Sequence, residues 1–361
     1  MKAGIIGLPL CGKTTLFNVL TKRNVQTGGY GAGAEPNIGT VKVPDARLDE
    51  LSKIFTPKKT TYATVEYVDV AGLTKGSGQE GGLGNQLLAH LRNVDVLIQV
   101  VRTFNNESIP APEVGLNPLR DIETIDLELA LSDLGAVEKR MERLRLEIMK
   151  KGDKTKEPEL RLMERLQEHL EQGRFIRNFD LTDDEKNLLR GYQFLTEKPM
   201  LLVLNIGEAE ISTPQKYQEI RARYAAQGIP VIALSAAIES EIAQLENDDA
   251  QAFMADIGIE ELGLTKLIRV SYDLLGLISF LTAGEKEVRA WTIPKNTKAA
   301  EAAGAIHSDL ERGFIRAEVI AYTEFLKYGS FANAKQHGAV RVEGKDYLVQ
   351  DGDILTIRFN V

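Results

Sequence analysis

The sequence predicts an α/β fold: a mostly parallel sheet with crossover helices, an inserted helical hairpin, and a small α+β module at the C-terminal end. Three observations predict it. Short β-branched apolar runs at 3–7, 64–70, 95–101, 200–205 and 229–235, each bounded by turn residues, have the texture of strands buried on both faces. Gly7-Leu8-Pro9-Leu10-Cys11-Gly12-Lys13-Thr14 fits G-x-x-x-x-G-K-[ST] between the first of those runs and the helical stretch 15–21. Finally, Leu134, Val137, Met141, Leu144 and Ile148 recur in alternating steps of three and four, a heptad seam.

The phosphate loop comes first along the chain. Glycines at both ends let the backbone wrap closely enough for its N–H groups to cradle phosphate oxygens, and the following helix N-terminus adds partial positive charge. Leu10, Cys11, Gly12, Lys13, Thr14 and Thr15 are the expected nucleotide-binding residues. Lys13 is the catalytic candidate, neutralising β/γ-phosphate charge, while the Thr14 hydroxyl is a ligand for Mg²⁺. Cys11, close to a helix N-terminus, is either a low-pKa redox thiol or a small space-filler.

The second strand-like run ends in Asp69-Val70-Ala71-Gly72. A carboxylate there serves the Mg²⁺ shell opposite the phosphate loop, and the Gly72 N–H can reach a γ-phosphate. The glycine-rich stretch Gly76, Gly78, Gly81, Gly82 and Gly84 follows and suits a switch loop.

Residues 121–198 form the expected helical insertion, in which Leu160, Met163, Leu166 and Leu170 continue at helical spacing. The seam serves equally for a helix packed on the sheet. The polar tip between the two helical stretches carries Lys150, Lys151, Lys154 and Lys156 against Asp153. After the fourth strand-like run, Asn205-Ile206-Gly207-Glu208 occupies the place where GTP-specific proteins carry N-K-x-D. Ile206 replaces the lysine, and the longer Glu208 replaces the Asp that takes two hydrogen bonds from guanine. Ser235-Ala236, ending the fifth run, matches the companion loop that approaches the base through its backbone. The C-terminal module spans 277–361. The nucleotide-binding domain covers residues 1–276 and is interrupted by the insertion. Strand-like runs at 287–293, 317–321 and 354–359 and a helical stretch at 299–304 build the C-terminal module, with Trp291 more suited to its core than to base stacking.

The whole chain is 361 residues long with a formal net charge of −8, 43% hydrophobic and 27% charged, which excludes a disordered chain. No apolar run approaches the roughly 18 residues of a membrane span, and no signal peptide is legible, so a cytoplasmic location is expected. One cysteine excludes an internal disulfide and a Cys-rich zinc site. The acidic balance argues against DNA coating.

Taken together, the phosphate loop, Asp69–Gly72, the run 75–85, Asn205–Glu208, the stretches 283–292 and 313–319 and the ending 358–361 resemble the YchF / Obg-like ATPase family over essentially the whole chain. The resemblance implies a translation-factor-class GTPase fold with a β-grasp-like TGS domain at the C-terminus. It also implies ATP as substrate in preference to GTP, and association with the ribosome, its RNA or proteins, through the TGS domain and the helical arm. No membrane partner follows, and a monomer is favoured. A GTPase of the Obg type, or a nucleotide-gated binding module with incidental hydrolysis, are the alternatives. Three departures bear on mechanism. Leu10 stands where the family has Asn, removing a side chain that related GTPases use for a monovalent cation. Gly31-Ala32-Gly33-Ala34 stands directly before Glu35-Pro36-Asn37 where the family has a Thr, leaving Thr40 as a poor substitute. Leu73 occupies the place of the water-orienting Gln of Ras-like enzymes. His90 is the nearest histidine to the switch and suits a helix surface, so no general base is assigned and slow basal turnover is expected.

Overall fold

Helix-flanked strands dominate the chain in the computed structural model, which describes residues 1–23, 25, 36–70, 83–106, 109 and 115–360. The strands are β1 (Lys2–Ile6), β2 (Asn37–Lys42), β3 (Thr60–Thr61), β4 (Thr64–Asp69), β5 (Val96–Arg102), β6 (Met200–Asn205), β7 (Val231–Leu234), β8 (Leu277–Ala283), β9 (Val288–Pro294), β10 (Phe314–Ala321), β11 (Arg341–Glu343) and β12 (Asp353–Phe359). Between them run α1 (Lys13–Thr21), α2 (Ala46–Phe55), α3 (Leu83–Arg92), α4 (Pro118–Lys151), α5 (Glu157–Glu171), α6 (Asp183–Leu189) and α7 (Gln218–Ala225). The rest are α8 (Ala236–Ile242), α9 (Asn247–Asp256), α10 (Gly263–Leu274), α11 (Ala299–Ile306), α12 (Ser308–Arg312), α13 (Tyr322–Tyr328) and α14 (Phe331–Gln336). Gly72, Leu73, Glu35 and the glycine-rich run up to Gly82 lie outside the described residues.

The chain forms two compact units, residues 1–39 with 66–267 and residues 40–65 with 268–361. In the first, one sheet runs β2-β4-β1-β5-β6-β7. β1 pairs in parallel with β4 and β5, β5 with β6, and β6 with β7. β5 and β6 are buried along their whole length, so their apolar residues do not alternate with polar ones. The helix-pairing reading of the heptad seam holds, and it is a separate, earlier stretch of the same helix that packs on the sheet. Pro118 at its first turn and Asn117, which accepts the Arg120 N–H, start α4, and Gly152 in the left-handed conformation ends it. Ile122, Ile125 and Leu129 pack into the sheet's core with Leu97 and Met200. Farther along, Val137, Met141 and Leu144 leave the sheet and close on Leu162, Met163, Leu166 and Leu170 of α5.

The second unit holds a mixed sheet, β11-β10-β12-β8-β9-β3, with α11 on one face through Ala299, Ala302 and Ala303. Its composition differs from the sequence-based division at 276/277. Residues 40–65 belong to it: β3 pairs in parallel with β9, Lys58 N–H donates to Glu285 O, and Val288 N–H donates to Lys59 O. Arg47 of α2 donates to both Asp45 and Asp351, and Asp351 accepts the Ser279 N–H. Trp291 is half-buried, donating its indole N–H to Thr282 with the Arg289 guanidinium 3.7 Å over its ring, so it is a packing residue of this sheet.

Candidate functional site

Every predicted site residue that the structure describes lies at or just beyond the carboxyl end of β1, β4, β6 or β7, the edge where parallel α/β sheets bind ligands. The loop after β1 is shaped by two glycines. Gly7 has φ 153° and a Cβ there would overlap the Val100 carbonyl oxygen. Gly12, the N-cap of α1, has φ 96°, and its Cβ would occupy the space of the Asn205 side-chain amide. No acidic residue sits in the first turn of α1, so nothing there opposes an anion at its N-terminus. Leu10 is 48% exposed and holds φ 61°, a left-handed conformation that Asn tolerates better than Leu.

Lys13 is buried, its ammonium donating to the carbonyls of Gly7 (3.1 Å) and Leu8 (2.8 Å). Thr14 donates its hydroxyl to Asp69 at 3.0 Å, which brings the two predicted metal ligands together from residues far apart in the chain. A hydroxyl and a fully buried carboxylate are hard oxygen donors of the kind Mg²⁺ prefers, so this pair fits the ion. Thr15 is half-buried in the same helical turn.

Cys11 is fully buried and its thiol is pushed above its ordinary value by that burial, with the Lys13 charge only partly opposing. A buried thiol held in its neutral form suits the space-filling reading of this residue.

Asn205 takes a role that its position in the sequence did not show. Its amide donates to Cys11 O at 2.9 Å, and its side-chain oxygen accepts the Ala236 N–H at 3.0 Å. It braces the phosphate loop against the base loop. Thr103, not singled out from the sequence, secures the brace by donating both its N–H and its hydroxyl to Asn205 O. Its only sequence signal was its position directly after a buried strand. Ile206 is buried in the sheet's core beside Leu204 and Tyr217, so its side chain is not at the mouth of the site. Glu208 is exposed there. Ser235 caps α8 and is buried with Ala236. His90 is exposed in the last turn of α3.

Comparisons with known proteins accord with this geometry. A family model described as "50S ribosome-binding GTPase" matches residues 2–151, and the YchF-GTPase_C model, described as "Protein of unknown function (DUF933)", matches 277–360. The protein named ribosome-binding ATPase YchF in Bacillus subtilis is 45% identical, covering 100% of this chain and 100% of its own. Its namesake in Escherichia coli O157:H7 is 43% identical over 100% and 99%.

The chain belongs to the YchF family. The solved structure of the Schizosaccharomyces pombe YchF GTPase, 33% identical, matches with a TM-score of 0.85 over 99% of this chain and 97% of that one. The YchF architecture, a P-loop GTPase-like α/β unit with a C-terminal domain, is thus the fold of this protein. A GTP binding protein from Pyrococcus horikoshii, 21% identical with a TM-score of 0.63, shares the fold alone. These YchF relatives are named for two different nucleotides.

A cavity of about 190 Å³ lies beside the base loops, lined by Ile206, Ser235, Ile238 and Glu239 among others. Glu239 is buried and accepts the Gly263 N–H at the start of α10. Burial pushes its carboxyl up to about 7, with that hydrogen bond opposing. A folded-state value above the unfolded one means stability that is full below the ordinary carboxylate range and is lost as pH rises through 7. Glu239→Gln keeps the acceptor and removes the charge. Urea unfolding of the variant is expected to show a gain of roughly 3 kcal/mol over the parent at pH 8 and little difference at pH 4. Equal gains at both pH values would mean the carboxyl is not held up by burial.

Proposed function

We propose that this chain hydrolyses ATP with Mg²⁺ and associates with cytoplasmic ribosomes through its C-terminal module and helical arm. The observation that carries the hydrolase reading is the Thr14–Asp69 hydrogen bond beside the Lys13 ammonium, at the N-terminus of α1. The loop N–H groups and that helix terminus hold the phosphates, and Lys13 exchanges its two carbonyl partners for phosphate oxygens. Thr14 and Asp69 hold Mg²⁺, which when bound neutralises charge on the β/γ-phosphates. Leu73 has no polar side chain to orient water, so orientation falls to backbone N–H groups or to a partner, and basal turnover is slow.

ATP is expected to bind more tightly than GTP, because Glu208 is longer than the guanine-reading Asp and Ile206 is buried rather than lying along a base. Side-by-side titration of fluorescent analogues tests this. Tenfold tighter GTP binding, about 1.4 kcal/mol, contradicts it. Glu208→Asp is expected to narrow the preference, whereas Ile206→Lys would bury an ammonium in the core and report on stability instead.

Ribosome association is supported by the full-length likeness to proteins named ribosome-binding and by the lysine-rich tip between α4 and α5. Changing Lys150, Lys151, Lys154 and Lys156 to Ala is expected to weaken co-sedimentation with ribosomes, most clearly at moderate salt. Undiminished pelleting across a salt series would remove the tip from the docking surface.

A further inference from the structure

β7 ends its sheet, with no further strand beyond it among the described residues. Leu202 N–H donates to Pro230 O and Ile206 N–H to Leu234 O, so Pro230, Ile232 and Leu234 bond to β6. Alternate residues of a strand bond in opposite directions, which turns the N–H and C=O of Val231 and Ala233 outward. The cavity of about 190 Å³ follows this open edge, lined by residues 231–235 and by no residue of the phosphate loop. It is smaller than the roughly 300–1,000 Å³ of sites for drug-sized ligands, which leaves room for a molecule of amino-acid size rather than a nucleoside. Two opposite charges line it from different helices. Glu239 of α8 is 4% exposed; its Oε1 accepts the Gly263 N–H, while its Oε2 has no hydrogen-bond partner among the described residues. Arg221 of α7 has a buried Nε that is likewise without a partner among them. Two orphaned polar atoms of opposite sign on one cavity call for an occupant that carries both a donor and an acceptor. Ile211, Ile238 and Ile259 supply apolar wall.

We propose that this cavity binds a free α-amino acid with a branched apolar side chain. The ligand carboxylate accepts from Arg221 and from the outward N–H groups of the edge. Its ammonium donates to Glu239 and to the edge carbonyls, and its side chain lies against the three isoleucines. A cation alone leaves Arg221 unanswered, and an anion alone leaves Glu239 so. Water satisfies both polar atoms but gains nothing from the apolar wall. The other charged groups on the cavity are paired or wet: Glu210 accepts from Lys216 and from the Gly207 N–H, and Glu261 and Lys266 are exposed. Burial holds the Glu239 carboxyl up to about 7, so an ammonium that needs it ionised binds better above that pH than below it. The site stands apart from the hydrolase and ribosome readings.

The test titrates full-length protein with L-leucine by calorimetry, beside isoamylamine, isocaproate and N-acetyl-leucine amide. Leucine is expected to bind, and the three analogues, each lacking one charge or both, to bind at least ~10-fold more weakly. Glu239→Gln and Arg221→Gln are each expected to weaken leucine binding at least ~10-fold. The rise in affinity between pH 6 and pH 8 is expected to disappear in Glu239→Gln. Thermal unfolding of each variant guards against loss of fold. No binding of leucine, isoleucine or valine at about 10 mM overturns the proposal, the cavity then holding water only. Equal affinity for the amide overturns it, because the occupant is then a peptide strand on the open edge. Leucine binding unchanged in both variants overturns it as well.

Discussion

Lys13→Ala is expected to lower the rate of hydrolysis by about 10²–10³-fold, the usual loss on removing one preorganised electrostatic contact to a charged transition state. The prediction follows from geometry as well as motif. The Lys13 ammonium is buried against the Gly7 and Leu8 carbonyls, where low local dielectric makes its charge count for more than on a surface. Asp69→Asn acts on the same centre by another route: the Thr14 hydroxyl keeps an acceptor, but the site loses the negative charge that would hold a divalent ion. Its turnover is expected to fall while nucleotide affinity without Mg²⁺ is little changed. Single-turnover measurement on protein purified away from contaminating ATPases separates the two. Near-parental turnover in Lys13→Ala would place the active site elsewhere.

What could be read from the sequence is what local spacing encodes. The phosphate loop needs two glycines, a lysine and a hydroxyl at fixed intervals between a strand and a helix, and all were visible. The buried parallel strands were visible because both their faces are apolar. Long-range partnerships were not. The Asn205 amide meets the Cys11 carbonyl across almost two hundred residues, and no periodicity announces such a pair. The placement of 40–65 in the C-terminal unit rests on a two-residue strand and on Arg47–Asp351, both too small or too distant to show as a pattern. The heptad seam was ambiguous for a physical reason: an apolar helical stripe has the same spacing whether it meets a sheet, as Ile122, Ile125 and Leu129 do, or another helix, as Val137, Met141 and Leu144 do. The two readings of Cys11 do not separate in the sequence, because a helix terminus is visible there and the burial that outweighs it is not.

The brace between the phosphate loop and the base loop makes a second large effect predictable. Gly12→Ala forces an L-residue to φ 96°, for which strain of about 1–2 kcal/mol is expected. The new methyl group also displaces the Asn205 amide from Cys11 O, and a buried polar group deprived of its partner costs about 1–3 kcal/mol more. Nucleotide affinity is therefore expected to fall by well over tenfold. Asn205→Ala removes the displaced group in advance, leaving room for the methyl. In that background Gly12→Ala should cost only the backbone strain, so the two substitutions are expected to be less than additive by at least about 1 kcal/mol. The cycle is measured with nucleotide titration and urea unfolding on all four proteins. If the two costs simply add, Asn205 does not occupy the space that Gly12 leaves open, and the brace does not hold the loop.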